Sequence, residues 1–393
     1  MNPNHNSSEL FLQTACDIGA QLANDAIWHQ NQCNWLGSAT TGRVPVYKTQ
    51  NASLYDGTIG IAYFLTGLYA INPTKVFRNT IDGAVNQALN YQDKCDSLEK
   101  NGFYNSAIGL AYGLWEVSQV LQKDDWVKTA QTMLKQLQLD ENDLDLFSLL
   151  KVLTPLVKLS QQVDFEFLKE SLQGYITKAN ELCEQFQWDS TSEVKQNNLD
   201  ELSTLVMGLL TLHEYTQQPN YLELARKGLS FIELQWKNRK FDGTFPSRAT
   251  ETRAYLKMYA ITKQESDLNQ LNAIGNYLIQ SMGFSFQNPG HPQVNFSLQN
   301  GIASKIDSLL DIAQFLRNQY FQNMAQHYGM LGVQQLAIPG LLWPSNRLDK
   351  QPCPGLMVGL SGIGYVYLRL FAPEKYQSVW NLSIWQFSGA LFI

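Results

Sequence analysis

Residues 354–370 read PGLMVGLSGIGYVYLRL, a glycine-rich turn that leads directly into an apolar segment. Within that segment Ile363, Tyr367 and Leu370 recur at intervals of three and four residues, which is the spacing of one face of a core-facing helix. The glycines permit a tight turn and close packing against neighbouring helices. This stretch therefore predicts a buried helix that begins abruptly at its turn.

The same pattern, a turn of small residues followed by an apolar helix, recurs along the chain. It is clear in residues 55–60 (YDGTIG), 104–109 (YNSAIG) and 299–303 (QNGIA), and weaker near Asp145, Glu201 and Arg248. The starts lie roughly 40 to 60 residues apart, which is enough for two helices and their loops. About seven helical hairpins are therefore predicted. Because one hairpin cannot bury its own apolar face, neighbours must stack, either as a closed ring or as an open solenoid.

Composition indicates one large all-α domain spanning residues 1–393. Of the 393 residues, 44% are hydrophobic and only 16% are charged, strand signals are sparse, and no convincing linker interrupts the helical pattern. The net charge of −6, without a long basic run, argues against a nucleic-acid partner. Neither a signal peptide nor a membrane span is recognisable, so we expect a cytoplasmic protein without a membrane partner.

Four stretches resemble the lanthionine synthetase C-like family, the lanthipeptide cyclases. Residues 354–370 resemble the family's C-terminal signature, and residues 33–37 (CNWLG) with 54–62 (LYDGTIGIA) are similar to the N-terminal region of the cyclase domain in fused dehydratase–cyclase enzymes. Residues 296–310 align with a helix start that reads Ser-Leu-Cys-His-Gly in the family. The resemblance runs from about residue 10 to residue 379 and implies an α/α toroid of seven helical hairpins.

The resemblance also implies a chemistry. Those cyclases add a peptide cysteine, activated as a zinc-bound thiolate, to a dehydroalanine or dehydrobutyrine, and an acid protonates the resulting enolate. The zinc ligands are absent from this sequence, because Gln299 and Asn300 stand where the family has Cys-His, and Pro246 stands near the place of the other cysteine. Carboxamides and proline are not usual zinc ligands, so neither a metal nor another cofactor is expected.

Several residues are candidates for a metal-independent site. Asp145 and Glu201 align with a family acid and a family histidine and are the acid–base candidates, although both also suit the N-terminus of a helix. Arg248, together with Arg253, lies where the second cysteine turn would be and could lower the pKa of a thiol, with an ion-paired helix surface as the alternative. Candidate substrate-binding residues are Gln299, Asn300, Arg253, Tyr55 and Asp56, with turn capping the favoured role of Asp56.

The favoured function is the maturation of a ribosomally made peptide by a zinc-independent, cyclase-like protein that forms thioether or related rings. A precursor peptide is the expected partner, and a dehydratase or other tailoring enzyme is a further candidate. Two alternatives stay open: a non-catalytic module that binds the precursor or a partner enzyme, and another α/α-toroid enzyme such as a relative of the terpenoid cyclases. The sequence leaves open whether the protein is an enzyme.

Overall fold

The fold is built from helices that follow one another in pairs. A computed structural model describes residues 3–41, 44–91, 102–136, 145–162, 166–188, 199–238, 247–291, 294–336, 343–345 and 353–381. In these ranges the helices are α1 (Pro3–Asn24), α2 (Thr58–Tyr69), α3 (Lys75–Asn90), α4 (Ala107–Leu121), α5 (Asp124–Lys135), α6 (Leu146–Gln162), α7 (Glu166–Gln185), α8 (Leu199–Thr216), α9 (Pro219–Asn238), α10 (Ala249–Thr262), α11 (Glu265–Gln287), α12 (Ile302–Leu316), α13 (Gln319–Leu336) and α14 (Leu360–Phe371). The predicted all-α fold class is confirmed.

The chain divides into two compact units. The first comprises Met1–Ser97, Tyr104–Gln136 and Ile279–Ile393, and the second comprises Leu98–Phe103 and Leu137–Leu278. The interpretation of residues 1–393 as a single domain stays a prediction.

In the first unit, four core helices pack side by side in the order α12, α14, α2, α4. They are buried along most of their length. A covering helix packs against each of them: α13 on α12, α1 on α14, α3 on α2 and α5 on α4. The core helix α14 is thus paired with α1, which lies far from it in sequence.

In the second unit, the core helices α6, α8 and α10 pack in that order, with α7 covering α6 and α9 covering α8. Together the two units contain seven core helices in the described ranges. Their first turns coincide with the seven starts that the repeat predicts, including the weaker ones near Asp145, Glu201 and Arg248. The predicted repeat is therefore confirmed.

Four of the hairpins share one connection of two residues. In each of them the first residue after the core helix (α4, α8, α10 or α12) has a positive φ. The next helix begins two residues after it. These residues are Gln122 (φ 53°), Gln217 (60°), Lys263 (55°) and Arg317 (51°). A left-handed residue at this position ends a helix and turns the chain back, although glycine usually provides it.

The glycines of the core-helix turns are required by close packing. A Cβ on Gly359 would overlap the carbonyl oxygen of Cys353, and one on Gly362 would overlap the carbonyl oxygen of Leu356. Backbone atoms cannot give way as a flexible side chain can. The predicted tight turn at the start of α14 is confirmed.

Two β hairpins between α1 and α2 are not anticipated by the sequence. Strands β1 (Ile27–His29) and β2 (Gln32–Asn34) pair antiparallel, as do β3 (Leu36–Thr41) and β4 (Val44–Thr49). Trp35, between them, is 1% exposed and its indole N–H donates to the Leu22 carbonyl at 2.7 Å. Strands of three to six residues carry too little alternation to be recognised, and one buried tryptophan fixes their position against α1.

No helix in the described ranges has both the length and the apolar character that crossing a membrane requires.

Candidate functional site

The turn before α2 is an asparagine-centred loop that holds Asp56. The Asn51 side-chain oxygen accepts from the Ser53 amide (2.8 Å), and the Asn51 side-chain nitrogen donates to Asp56 Oδ1 (3.1 Å). The Ser53 hydroxyl also donates to that oxygen (3.3 Å), and the Thr58 amide donates to the Asn51 carbonyl (2.8 Å). Asp56 is thus engaged in its own turn, in agreement with the turn-capping interpretation.

The turn before α12 repeats this arrangement. Asn295 accepts from the Ser297 amide (3.0 Å), and the Ile302 amide donates to the Asn295 carbonyl (3.0 Å). Asn300 occupies the position in this turn that Asp56 occupies in the other. Its side-chain oxygen lies 3.4 Å from the side-chain nitrogen of Asn295 and 3.4 Å from the Ser297 hydroxyl. The two turns share the pattern Asn-x-Ser-x-x-Asp/Asn-Gly, residues 51–57 and 295–301. Asn300 is therefore a turn residue as well as a site candidate.

Backbone hydrogen bonds join four core-helix turns of the first unit. The Tyr55 amide donates to the Tyr104 carbonyl (3.0 Å), the Met357 amide to Tyr55 (2.8 Å) and the Gln299 amide to Met357 (2.9 Å). Each of these four residues lies two positions before the residue that caps the N-terminus of its core helix. Tyr55 and Gln299, both candidate substrate-binding residues, thus bond to the same neighbouring turn.

The residues at the expected metal position do not fit zinc. Gln299 and Asn300 offer carboxamides, and the Asn300 oxygen is already an acceptor within its turn. His291 packs edge-on against Phe284, with ring centroids 5.9 Å apart. Within the described ranges no three His, Cys, Asp or Glu side chains come close enough to hold a metal ion, and Pro246 lies outside those ranges. Zinc sites in proteins need three or four such ligands, so the residues of this turn do not provide one.

Asp145 lies at the N-terminus of α6. Its Oδ1 accepts from the Ser148 amide at 2.7 Å, and the side chain is exposed. This is the geometry of a helix cap, in which a carboxylate satisfies one of the unpaired amides of the first turn. The contact accounts for the aspartate structurally.

Glu201 lies in the first turn of α8, beside Asp200 and near Arg253 of α10. Glu201 is half-buried and Arg253 is 7% exposed. Desolvation raises the pKa of Asp200 although its side chain keeps contact with solvent; Arg253 opposes this rise and Glu201 adds to it. The structure therefore brings one acidic candidate, Glu201, together with Asp200 and with the candidate Arg253 in the second unit.

Arg248, just before α10, is held by a carboxylate and two aromatic rings. Its guanidinium donates to Glu251 at 2.5 and 2.8 Å and lies 4.5 Å from the centroid of Trp236 and 5.2 Å from that of Tyr277. Trp236 also donates to Glu251 (2.8 Å), which is 2% exposed. The predicted alternative, an ion pair, is present, and it is partly buried and stacked rather than on an open surface.

Two buried cations of the first unit are not among the predicted site residues. Arg369 of α14 is 0% exposed and pairs with Asp307 and, at 2.8 Å, with Asp311 on α12. Lys305, in the first turn of α12, is 4% exposed. Each lies among apolar positions of a core helix, but only the packed structure shows that these two cations are buried.

The candidates fall into two sets. Tyr55, Asp56, Gln299 and Asn300 belong to turns of the first unit, and Asp145, Glu201, Arg248 and Arg253 belong to the second unit. The structure joins the Tyr55 and Gln299 turns in the first set, and Glu201 and Arg253 through Asp200 in the second.

The fold has a solved counterpart. The structure is similar to that of "Nisin cyclase", with a TM-score of 0.57 and 12% sequence identity over 84% of this chain and 91% of that chain. At this identity the likeness establishes the fold, so the predicted α/α toroid class is confirmed.

The sequence supports the same likeness over a shorter range. Residues 48–200, less than half of the chain, match the family described as "Lanthionine synthetase C-like protein". Curated protein sequences gave no match. The matched range includes the turns at Tyr55 and Tyr104 and the start of α6 at Asp145.

Proposed function

We propose that this protein is a metal-independent, lanthionine-type cyclase that acts on a modified ribosomal peptide. The observation that carries the proposal is the combination of a nisin-cyclase-like fold with a turn, Gln299 to Gly301, that replaces thiolate and imidazole by carboxamides. The turn keeps its backbone geometry and its bond to the Met357 turn. The frame for the reaction is thus retained while the usual means of thiol activation is not.

The proposed reaction is an addition without redox change. The S–H bond of a peptide cysteine breaks, the thiolate sulfur bonds to the β-carbon of a dehydroalanine, and the electron pair moves to an enolate that takes a proton at its α-carbon. A precursor peptide made by a separate dehydration step is the substrate. Binding that holds thiol and acceptor in contact can supply much of the acceleration.

Glu201 is the stronger of the two acidic candidates in this proposal. It is half-buried next to Asp200 and near Arg253, where an arginine can orient it or pair with it. Asp145 is exposed and bonded to its own helix. Arg253 and Arg248 would hold carboxylates of the peptide or orient Glu201 and Glu251.

A cyclisation assay tests the function. A synthetic peptide with one cysteine and one dehydroalanine is incubated with the chain in chelator, and the free thiol is counted by maleimide alkylation and mass spectrometry. The proposal predicts loss of the thiol faster than in buffer, slowed in Glu201→Gln but not in Glu223→Gln, whose side chain is 71% exposed on α9. Thiol loss at the spontaneous rate would contradict the proposal.

A non-catalytic peptide-binding module is the second candidate. It is favoured by the internal engagement of Asp145, Arg248 and Asn300, each of which already contacts its own turn or helix. Under this alternative the same peptide binds with measurable affinity and keeps its thiol.

A further inference from the structure

Lys305 is a buried lysine for which the structure shows no partner. The side chain is 4% exposed, and no described residue accepts a hydrogen bond from its amine or forms an ion pair with it. Lysines are almost never fully buried unless they are paired. By contrast, the similarly enclosed Lys257 of α10 bonds to Glu214 at 2.7 Å and to Thr211 at 2.9 Å. An amine that is kept buried at a cost in stability requires an explanation.

The charged neighbours of Lys305 are committed to other contacts. On its own helix, Asp307 and Asp311 both bind Arg369, which extends from α14. The covering helix α13 contributes only one titratable group other than tyrosine, His327, which packs against Tyr328. Desolvation is accordingly the cause that lowers the pKa of Lys305, to about 8. A substantial fraction of the amine is therefore neutral close to physiological pH.

Lys305 lies in the first helical turn that follows two candidate substrate-binding residues, Gln299 and Asn300. Its amide donates to the Gly301 carbonyl at 3.3 Å, and the hydroxyl of the preceding Ser304 donates to the Gln299 carbonyl at 3.3 Å. The lysine thus lies within the first turn of the helix that Gln299 and Asn300 introduce. In the family resemblance, this is the helix start that carries the metal ligands.

We propose that Lys305 is the proton acceptor for the substrate thiol, a role that rests on the proposed cyclase function. The thiol S–H bond breaks and its proton goes to the lysine Nζ. The thiolate then adds to the β-carbon of the dehydro residue, and the ammonium returns the proton to the α-carbon of the enolate. Atoms and charge balance over the cycle, and no metal or oxidant is needed.

The pKa of a free thiol is close to that of the Lys305 amine, which suits a proton transfer between them. A free thiol has a pKa of about 8.5, so transfer to an amine that titrates near 8 costs little free energy. General-base catalysis of this kind contributes about 10²- to 10⁴-fold to a rate. An arginine at the same position would keep the positive charge but could not accept a proton.

The test measures the ionisation of a bound thiol and turnover separately. The first probe is a peptide with the cysteine but with alanine in place of dehydroalanine, whose thiolate is followed by ultraviolet absorbance against pH. The lysine role predicts a lowered thiol pKa in the complex with wild type, lost in Lys305→Met and retained in Lys227→Met, an exposed lysine on α9. Absence of a lowered thiol pKa in the wild-type complex would overturn the inference, whether or not the protein turns over.

The second probe is the peptide that can cyclise. We expect Lys305→Met and Lys305→Arg to lose about 10²-fold or more in rate, and a small primary amine to restore part of the rate of Lys305→Ala. If wild type cyclises and Lys305→Met keeps its rate and pH profile, the lysine role is wrong and the cyclase function stands. If wild type binds and ionises the thiol without cyclising, the function is wrong and Lys305 still acts on the thiol.

Discussion

At the scale of single residues, three of the candidate side chains stabilise their own turns, whereas burial of Lys305 destabilises the folded protein. Asp56, Asp145 and Asn300 satisfy backbone or side-chain groups in their own turns. Lys305 makes no such contact with any described residue, and burial lowers the pKa of its amine. Residues that cost stability without a structural return are commonly functional.

Lys305→Met is predicted to stabilise the protein in a pH-dependent way. The folded pKa of about 8 lies below the ordinary value of 10.5, so the cost of burying the charge is complete below pH 8 and disappears as pH rises through 10.5. The free energy of unfolding should rise by up to about 3 kcal/mol at pH 7. Urea unfolding at pH 7 and at the highest pH the protein tolerates measures this. A less stable variant at pH 7 would mean that the amine has a partner.

Cys33 is predicted to be an unreactive thiol. It is 1% exposed, its sulfur lies 3.5 Å from the Thr80 carbonyl, and burial raises its pKa to about 12. The thiolate is the reactive form, so alkylation of native protein at pH 8 should leave Cys33 unmodified until the protein unfolds. Peptide mapping after a short alkylation measures this; rapid modification of Cys33 would contradict the buried position.

At the scale of elements, a buried ionic cluster joins α12 and α14. Arg369 binds Asp307, Asp311 and the Tyr376 carbonyl (3.1 Å), and Ser378 donates to Asp307 at 2.6 Å. Burial opposes the charge on Arg369, but the two aspartates outweigh it and hold its pKa above the usual value. Removing one partner leaves buried charge uncompensated.

Arg369→Met should therefore cost about 3 to 5 kcal/mol. Asp311→Asn should cost less, because Asp307 remains. Equilibrium denaturation of both variants and of the double variant gives the coupling free energy. Additive effects of the two substitutions would show that the contact contributes nothing.

In the two-residue hairpin connections, unlike at Arg369, we expect substitutions that stabilise the protein. Lys263 and Arg317 adopt a left-handed conformation that glycine adopts without strain. Lys263→Gly and Arg317→Gly should each change stability favourably, by up to about 1 kcal/mol. Thermal unfolding measures this, with Gln319→Gly, inside the first turn of α13, as a control that should destabilise.

Local chemistry explains which elements the sequence reveals. The starts of the seven core helices were predictable because turn residues and helical spacing lie within a few positions of one another. The β hairpins were not, because Trp35 and Cys33 are fixed by contacts with α1 and α3 rather than by their own pattern. Arg369 and Asp307 are 62 residues apart, so their pairing required the packed structure.

At the scale of the whole molecule, fold and chemistry are distinct questions. The likeness to nisin cyclase covers most of the chain, but the turn residues that carry the metal in the resemblance are replaced by Gln299 and Asn300. The candidate site could be located from the sequence because the turn is recognisable. Lys305 could not, because a lysine in a helix is ordinarily assigned to solvent and only tertiary packing shows that it is buried.

Because Gln299 and Asn300 offer only carboxamides at the expected metal position, we expect the purified chain to retain no stoichiometric zinc. Elemental analysis of protein that was never exposed to chelator tests this. One tightly held zinc per chain would show that ligands come together in a way that the described residues do not reveal.

The fate of a peptide thiol in the absence of metal distinguishes a metal-independent cyclase from a protein that only binds the peptide. Wild-type protein, freed of metal and kept in chelator, is mixed with a peptide that carries one cysteine and one dehydroalanine, and the alkylatable thiol is followed with time. The account predicts catalytic loss of the thiol with unchanged peptide mass, at a rate that rises as pH increases through about 8, the pKa of Lys305. A peptide that binds but loses its thiol no faster than in buffer would contradict it.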